Sequence, residues 1–406
     1  MIERRVLVTG TFPIERPSHG GQKRTRAIVD AYARAFSHVQ YLAVFDDRHY
    51  PHATPVDVRL PAPLVERSIA RPLTEDVIIG HAIWEDETVR TRVAAFLREF
   101  RPDIVHLETP YTWIGLKPLL AAEGLAPRIV FGSENIEAPL RESVMERFGV
   151  DAGLIAETVA EIAELEARLS VEADLVAACT VSDLNAHREL GAAATVLAPN
   201  GMEPLAPSPE AVAAWRARFA ADGVDRIATF VGSAHVPNIN GFETMIGLGL
   251  GFLAADERIV FAGSIGGHVE HLVGPEDASI EGATFWLRGV VAGQLPEAEL
   301  QGLIGVSDVL LLPLVFGGGS NLKTAEAILA DTRVVCTPTA LRGFEWFAGF
   351  PNTWVVQEGD RPGFHAAIRE AFRTPLVPRT AEQREQARSV TWERCLAPLV
   401  EAVATL

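Results

Sequence analysis

The sequence predicts an α/β protein built from two doubly wound, Rossmann-like domains, and three observations carry that expectation. Short runs rich in Val, Ile and Leu alternate with longer segments of helical period, the pattern of parallel strands joined by crossover helices. The alternation occurs twice, and a stretch rich in proline and small residues separates the two occurrences. At 406 residues the chain also exceeds what one hydrophobic core organises.

Taken in order, the first set of strands is read at Arg5 to Thr9, Val39 to Val44, Ile104 to Leu107, Arg128 to Phe131 and Leu175 to Ala178. The second set is read at Arg226 to Phe230, Arg258 to Ala262, Thr284 to Trp286, Val309 to Leu312, Arg333 to Cys336 and Thr353 to Val355. Between them, Ala198 to Ala213 breaks both periodicities with PNGMEPLAPSPEAVA. Domains are therefore expected over residues 1–203 and 204–379, with a helical segment over 380–406. In that last segment Trp392, Leu396, Leu399 and Val400 share one helical face, and Ile155, Val159, Ile162, Leu165 and Leu169 make a longer amphipathic helix.

Composition narrows the partners. A net charge of −17, from 53 acidic against 36 basic residues, argues against nucleic acid and weakens docking on anionic lipid, although a local basic patch leaves room for a peripheral membrane contact. Cys179, Cys336 and Cys395 lie far apart without metal-type spacing, so neither a disulfide framework nor a zinc site is expected. Met1 to Gly10 reads as a charged start and a short strand rather than a signal peptide, and no stretch has the roughly 20 apolar residues of a membrane span. A cytoplasmic protein is expected.

The most informative stretch is LLPLVFGGGSNLKTAEAILA, residues 311–330, where an apolar strand ends in three glycines and opens a helix. Glycines allow close backbone approach, and a helix start presents unpaired N–H groups under partial positive charge, together a cradle for phosphate. Ser320 is expected to cap the helix, Lys323 to reach a diphosphate oxygen, and Glu326, on the same side, to accept from two ribose hydroxyls. The alternative is a plain turn followed by a solvated helix face.

The run GGGSNLKTAEAIL, followed by RVVCTPT, resembles the donor-site signature of retaining glycosyltransferases of family 4, which have the GT-B fold. SHGGQKRT with Gly20 and Gly21, DIVHLE at 103–108, the SEN of Glu134 and Asn135, VLAPNGME and the FVGS ending at Ser233 resemble other family segments in the same order. The resemblance implies two Rossmann-like domains facing across a cleft, the first on the acceptor side and the second holding a nucleotide-sugar, with 380–406 crossing back to the first. It also implies that Glu326 holds the donor ribose and that Gly317, Gly318, Gly319, Ser320 and Asn321 surround the diphosphate and sugar. The chain departs from the family pattern in two places. Gly318 stands where a second Glu is common, and AHVPNING after FVGS lacks the usual Arg and Lys, leaving more phosphate charge to Lys323.

In the first half His106 and Glu108 end a strand on one side of it. Either is a candidate contact to the donor sugar, with a buried, backbone-satisfied histidine as the alternative for His106. Gly20 and Gly21 precede Lys23, Arg24 and Arg26, a basic cluster suited to the diphosphate or an acidic acceptor, or else a solvated helix face. Lys23, Glu134 and Asn135 are the acceptor-binding candidates, with Glu137 beside them and Arg141 as a counter-ion to one of these carboxylates.

The chemistry expected is glycosyl transfer from a nucleotide-diphosphate sugar to a hydroxyl of a glycan, lipid-linked glycan, natural product or protein. Fixed amides and Lys323 would stabilise the leaving diphosphate, so no metal and no further cofactor are needed. Asp46 and Asp47 are adjacent, a poor match to the Asp-x-Asp of divalent-ion enzymes. The alternatives are a nucleotide-sugar epimerase of the same architecture and a catalytically silent nucleotide-sugar-binding subunit.

Overall fold

The apolar runs of the first half become strands shielded on both faces, with Val6, Leu7, Val8, Val105 and Leu107 wholly buried. They are β1 (Ile2–Gly10), β2 (Phe36–Phe45), β3 (Val58–Arg59), β4 (Ile104–Glu108), β5 (Arg128–Ser133), β6 (Leu175–Ala178) and β7 (Thr195–Leu197). All pair in parallel in the order β3-β2-β1-β4-β5-β6-β7. The computed structural model describes residues 1–274 and 279–406, and these divide into one unit of Met1–Asn200 with Trp392–Leu406 and a second of Gly201–Thr391.

The second unit repeats the scheme with β8 (Arg226–Val231), β9 (Glu257–Ala262), β10 (Gly289–Gly293), β11 (Val309–Leu312), β12 (Arg333–Cys336) and β13 (Thr353–Val355). Its order is β10-β9-β8-β11-β12-β13, again parallel throughout. In both sheets the winding reverses beside the first strand, between β1 and β4 and between β8 and β11. Such switch points, at the carboxyl ends of the strands, are where open α/β sheets bind ligands.

Three elements differ from expectation. Thr284 to Trp286 lies inside the helix Ile280–Arg288, whose cap Ser279 accepts from the amide of Gly282. Only Phe285 of that run is buried, while Trp286 and Leu287 are exposed, so the apolar cluster is one face of a helix. The strand follows at β10. The edge strands β3 and β7 were not anticipated; they have two and three residues, too few to show a period.

The amphipathic helix is Ala152–Glu172, with Ile155, Ile162, Leu165 and Leu169 inward. The terminal helix Trp392–Ala404 buries Trp392, Cys395, Leu396, Leu399 and Val403 and packs on the helix Gly20–Ala35 of the first unit. Cys179, Cys336 and Cys395 are buried, and none is in a disulfide. Among the described residues no helix is long and apolar enough to cross a membrane.

Candidate functional site

In the second unit, β11 ends at Leu312 and the chain turns through Gly317 (φ 149°) and Gly319 (φ 56°), backbone angles that a side chain would strain. The helix Leu322–Ala330 follows. Its cap is Asn321 rather than Ser320: Asn321 Oδ1 accepts from the amide of Lys323 at 3.2 Å, which places the helix start one residue later than a Ser320 cap would. The bonding fixes the orientation of the Asn321 amide group, and its Nδ2 is buried without a hydrogen-bond partner. Ser320 is buried, whereas Gly318, Lys323 and Glu326 are half-buried.

Lys323 is tied across the switch point. Its Nζ donates to Asn238 Oδ1 at 2.6 Å, and Asn238 Nδ2 donates to Ser233 O at 2.9 Å and to Ser233 Oγ at 3.1 Å. The loop after β8 and the turn after β11 are thus joined by one chain of side-chain bonds, with the ammonium 5.9 Å from the centre of the Phe230 ring. Close backbone packing completes the corner: a Cβ at Gly263 would stand 2.2 Å from the Gly232 carbonyl oxygen. Asn238 was not singled out from the sequence, since nothing in AHVPNING marks one asparagine as buried.

In the first unit His106 and Glu108 lie on one face of β4, as strand alternation requires, but neither reaches solvent. His106 Nε2 is 2.7 Å from Glu108 Oε2, its Nδ1 is 2.8 Å from the Tyr32 hydroxyl, and Arg24 Nε donates to Glu108 Oε1 at 2.6 Å. An ionised Glu108 can only accept, so Nε2 of His106 donates to it. Burial pushes the Glu108 carboxyl up, but the Arg24 guanidinium and His106 outweigh burial and hold it below its ordinary range. Room for the pair comes from Gly132 of β5, where a Cβ would stand 2.2 Å from Glu108 Oε2.

The expected sugar contacts are therefore interior, and the histidine is satisfied by side chains instead of a backbone carbonyl. Arg24 also donates to Ala198 O at 2.9 Å and Asn200 Oδ1 at 3.2 Å, so the network holds the segment where the chain leaves this unit. The basic cluster divides: Arg24 is internal, Arg26 pairs with Asp30 on the solvent side, and Lys23 is half-buried in the first helical turn. A carboxylate at the end of a buried strand needs a counter-ion, and that need was the available signal for Arg24.

No family model matches the chain, and no curated protein sequence matches it significantly. Solved structures do. A sucrose-phosphate synthase from Thermosynechococcus elongatus superposes with a TM-score of 0.71 at 15% identity, covering 99% of each chain. HepE of Anabaena in complex with UDP gives 0.65 at 11% identity, covering 99% of this chain and 100% of its own. A UDP-forming α,α-trehalose-phosphate synthase from Burkholderia xenovorans with glucose-6-phosphate gives 0.61 at 16%, covering 98% and 99%. The fold is of the GT-B type.

Glu134 follows β5 and lies against the first turn of the helix Gly20–Ala35, where a Cβ at Gly21 would meet both its carboxyl oxygens at 3.3 Å. Gly20 is exposed and Gly21 half-buried. Burial, with the Glu108 charge adding to it, pushes the Glu134 carboxyl up to about 8, and its Oε1 is buried without a hydrogen-bond partner. Asn135 Nδ2 donates to Glu137 Oε1 at 3.1 Å. Arg141 pairs with neither neighbour; it donates to Asp76 Oδ2 at 2.7 Å and to the Tyr111 hydroxyl at 3.0 Å. Asp46 is buried against Arg48 and Ser68, a structural pairing.

The raised Glu134 carboxyl sets a pH dependence. Folding favours its protonated form, so its contribution is complete below the ordinary carboxylate value of about 4.5 and is lost as pH rises through about 8. Glu134→Gln stays neutral and is expected to lose roughly 1 kcal/mol or more less stability than wild type between pH 5 and pH 8.5. Urea titrations at both pH values measure the difference. Parallel losses in the two proteins would mean that the helix start keeps this carboxylate ionised.

Proposed function

We propose that the protein is a glycosyltransferase that moves a sugar from a nucleotide-diphosphate sugar to an acceptor hydroxyl, as a family 4 enzyme, with retention of anomeric configuration and without a metal. One observation carries the reading. At the switch point of the second sheet, a turn with two left-handed glycines runs into a helix start whose lysine is fixed by Asn238. The GT-B fold supports it, as does UDP in the HepE complex.

In this proposal residues 204–379 hold the donor and residues 1–203 the acceptor, with 380–406 as the crossing segment. Gly317, Gly318, Gly319, Ser320 and Asn321 surround the diphosphate and sugar, Glu326 takes the ribose hydroxyls, and Ser233, Gly20 and Gly21 complete the donor contacts. Departure of the diphosphate develops negative charge, which the helix start and Lys323 meet in the transition state. The departing phosphate helps to take the proton of the incoming hydroxyl. Lys23, Glu134 and Asn135 bind the acceptor, a hydroxyl-bearing glycan, lipid-linked glycan, natural product or protein, in the cytoplasm. His106 and Glu108 act as positioning residues, because they hold Arg24 and the end of β4 without an exposed atom.

A panel of nucleoside diphosphates and their sugars, read by thermal shift, tests the reading. A ligand at 100 times its Kd stabilises by about 2.7 kcal/mol, roughly 5–10 °C for a unit of this size. A flat panel would remove the proposal. Glu326→Gln is expected to weaken the preferred ribonucleotide about tenfold while leaving its 2′,3′-dideoxy analogue unaffected, as calorimetry would show. Equal loss for both would detach Glu326 from the ribose.

The sealed His106–Glu108 pair favours one second reading, a nucleotide-sugar-binding subunit without transfer activity. Donor binding without slow donor hydrolysis would select it, and release of an epimer from donor alone would select the epimerase.

A further inference from the structure

Resting on the donor reading above, we propose that Arg342 is a second cation of the diphosphate site, gripping the glycine turn through Nε and offering its two terminal nitrogens to phosphoryl oxygens. The residue lies in the segment 337–343 after β12. Because β12 runs parallel and adjacent to β11, this segment leaves the sheet at the same edge as the glycine turn.

Three bonds fix the two segments together. Thr324 Oγ1 donates to Ala340 O at 2.5 Å, Thr337 Oγ1 donates to Leu314 O, and Arg342 Nε donates to Gly319 O at 2.9 Å. The far side of the segment is anchored too, since Glu358 Oε1 accepts from Thr339 N at 2.9 Å and from Thr339 Oγ1 at 2.7 Å. The guanidinium thus stands on a rigid base.

What Arg342 lacks is an acid. Among the described residues it makes no ion pair, and the nearby carboxylates are engaged elsewhere: Glu358 on Thr339, and Glu345 on the amide of Gly343 at 2.9 Å. Half-buried and held through Nε, the group keeps Nη1 and Nη2, the fork that matches phosphoryl oxygens. The loop after β8 supplies no Lys or Arg between Ala234 and Gly241, so Arg342 would add a second cation to Lys323 at this turn. Two cations at one turn match two phosphates better than one.

Calorimetry with matched pairs of nucleotides (UDP and UMP, GDP and GMP, ADP and AMP, dTDP and dTMP) tests the assignment. Wild type is expected to prefer the diphosphate of its base, and Arg342→Gln to weaken that diphosphate about tenfold or more while changing the monophosphate less than about twofold. Arg342→Lys keeps the charge without the fork and is expected to fall between them; should the Gln variant not fold, the Lys variant is read by the same ratio. An unchanged ratio, or equal weakening of both nucleotides, would reduce Arg342 to a brace for the turn and overturn the proposal. Wild type binding no nucleotide at all would instead sink the donor reading, and this inference with it.

Discussion

Replacing Lys323 by alanine is expected to lower kcat/KM for donor turnover about 100-fold or more, the effect of removing one preorganised donor from a developing oxyanion. The fold should survive. Lys323 is half-buried and its Nζ donates to Asn238, so the loss of stability is on the order of 1 kcal/mol, or 2–4 °C in Tm. Steady-state kinetics with the preferred nucleotide-sugar, together with a melting curve, separates the two effects. A variant within about threefold of wild type would take Lys323 out of the chemistry.

The largest effect on stability belongs to Arg24. The Arg24–Glu108 pair is 1% and 0% exposed, and the arginine also holds Ala198 and Asn200. Arg24→Ala leaves a buried carboxylate without its counter-charge, which costs about 3–5 kcal/mol and lowers Tm by roughly 6–20 °C for a unit of this size. Replacing both partners by apolar residues of similar volume, Arg24→Met with Glu108→Leu, should recover most of the loss, because breaking a buried pair costs more than deleting it. A single-variant loss below about 1 kcal/mol would show that water reaches Glu108.

Much of this arrangement is legible in the residues, for reasons that also mark where reading fails. Strands such as Val309–Leu312 and Leu175–Ala178 are wholly buried and short, so their apolar runs stand out against amphipathic helices. Thr284 to Trp286 misleads because Thr, Phe and Trp favour strands locally, whereas Ser279 caps a helix and only Phe285 meets the core. β10, read as GVVAG, carries glycine at both ends and no large side chain, a weak strand signal.

At the candidate site, glycines and a helix start leave a local imprint, so the strand, turn and helix around residues 317–326 are legible in the sequence. Asn238, Arg24 and Arg342 act across 85, 84 and 23 residues respectively, and no local pattern records such partners. His106 and Glu108 show the same limit. Their alternation places them on one face of β4, but whether that face opens to a ligand depends on Tyr32, Arg24 and Gly132.

The direct test is a crystal structure of the protein with the nucleoside diphosphate that its binding panel selects. The diphosphate is expected against residues 317–323, with oxygens on the amides of the helix start and within hydrogen-bond reach of Lys323 Nζ. A nucleotide bound elsewhere, or that corner filled by side chains while the nucleotide is in saturating excess, would contradict it.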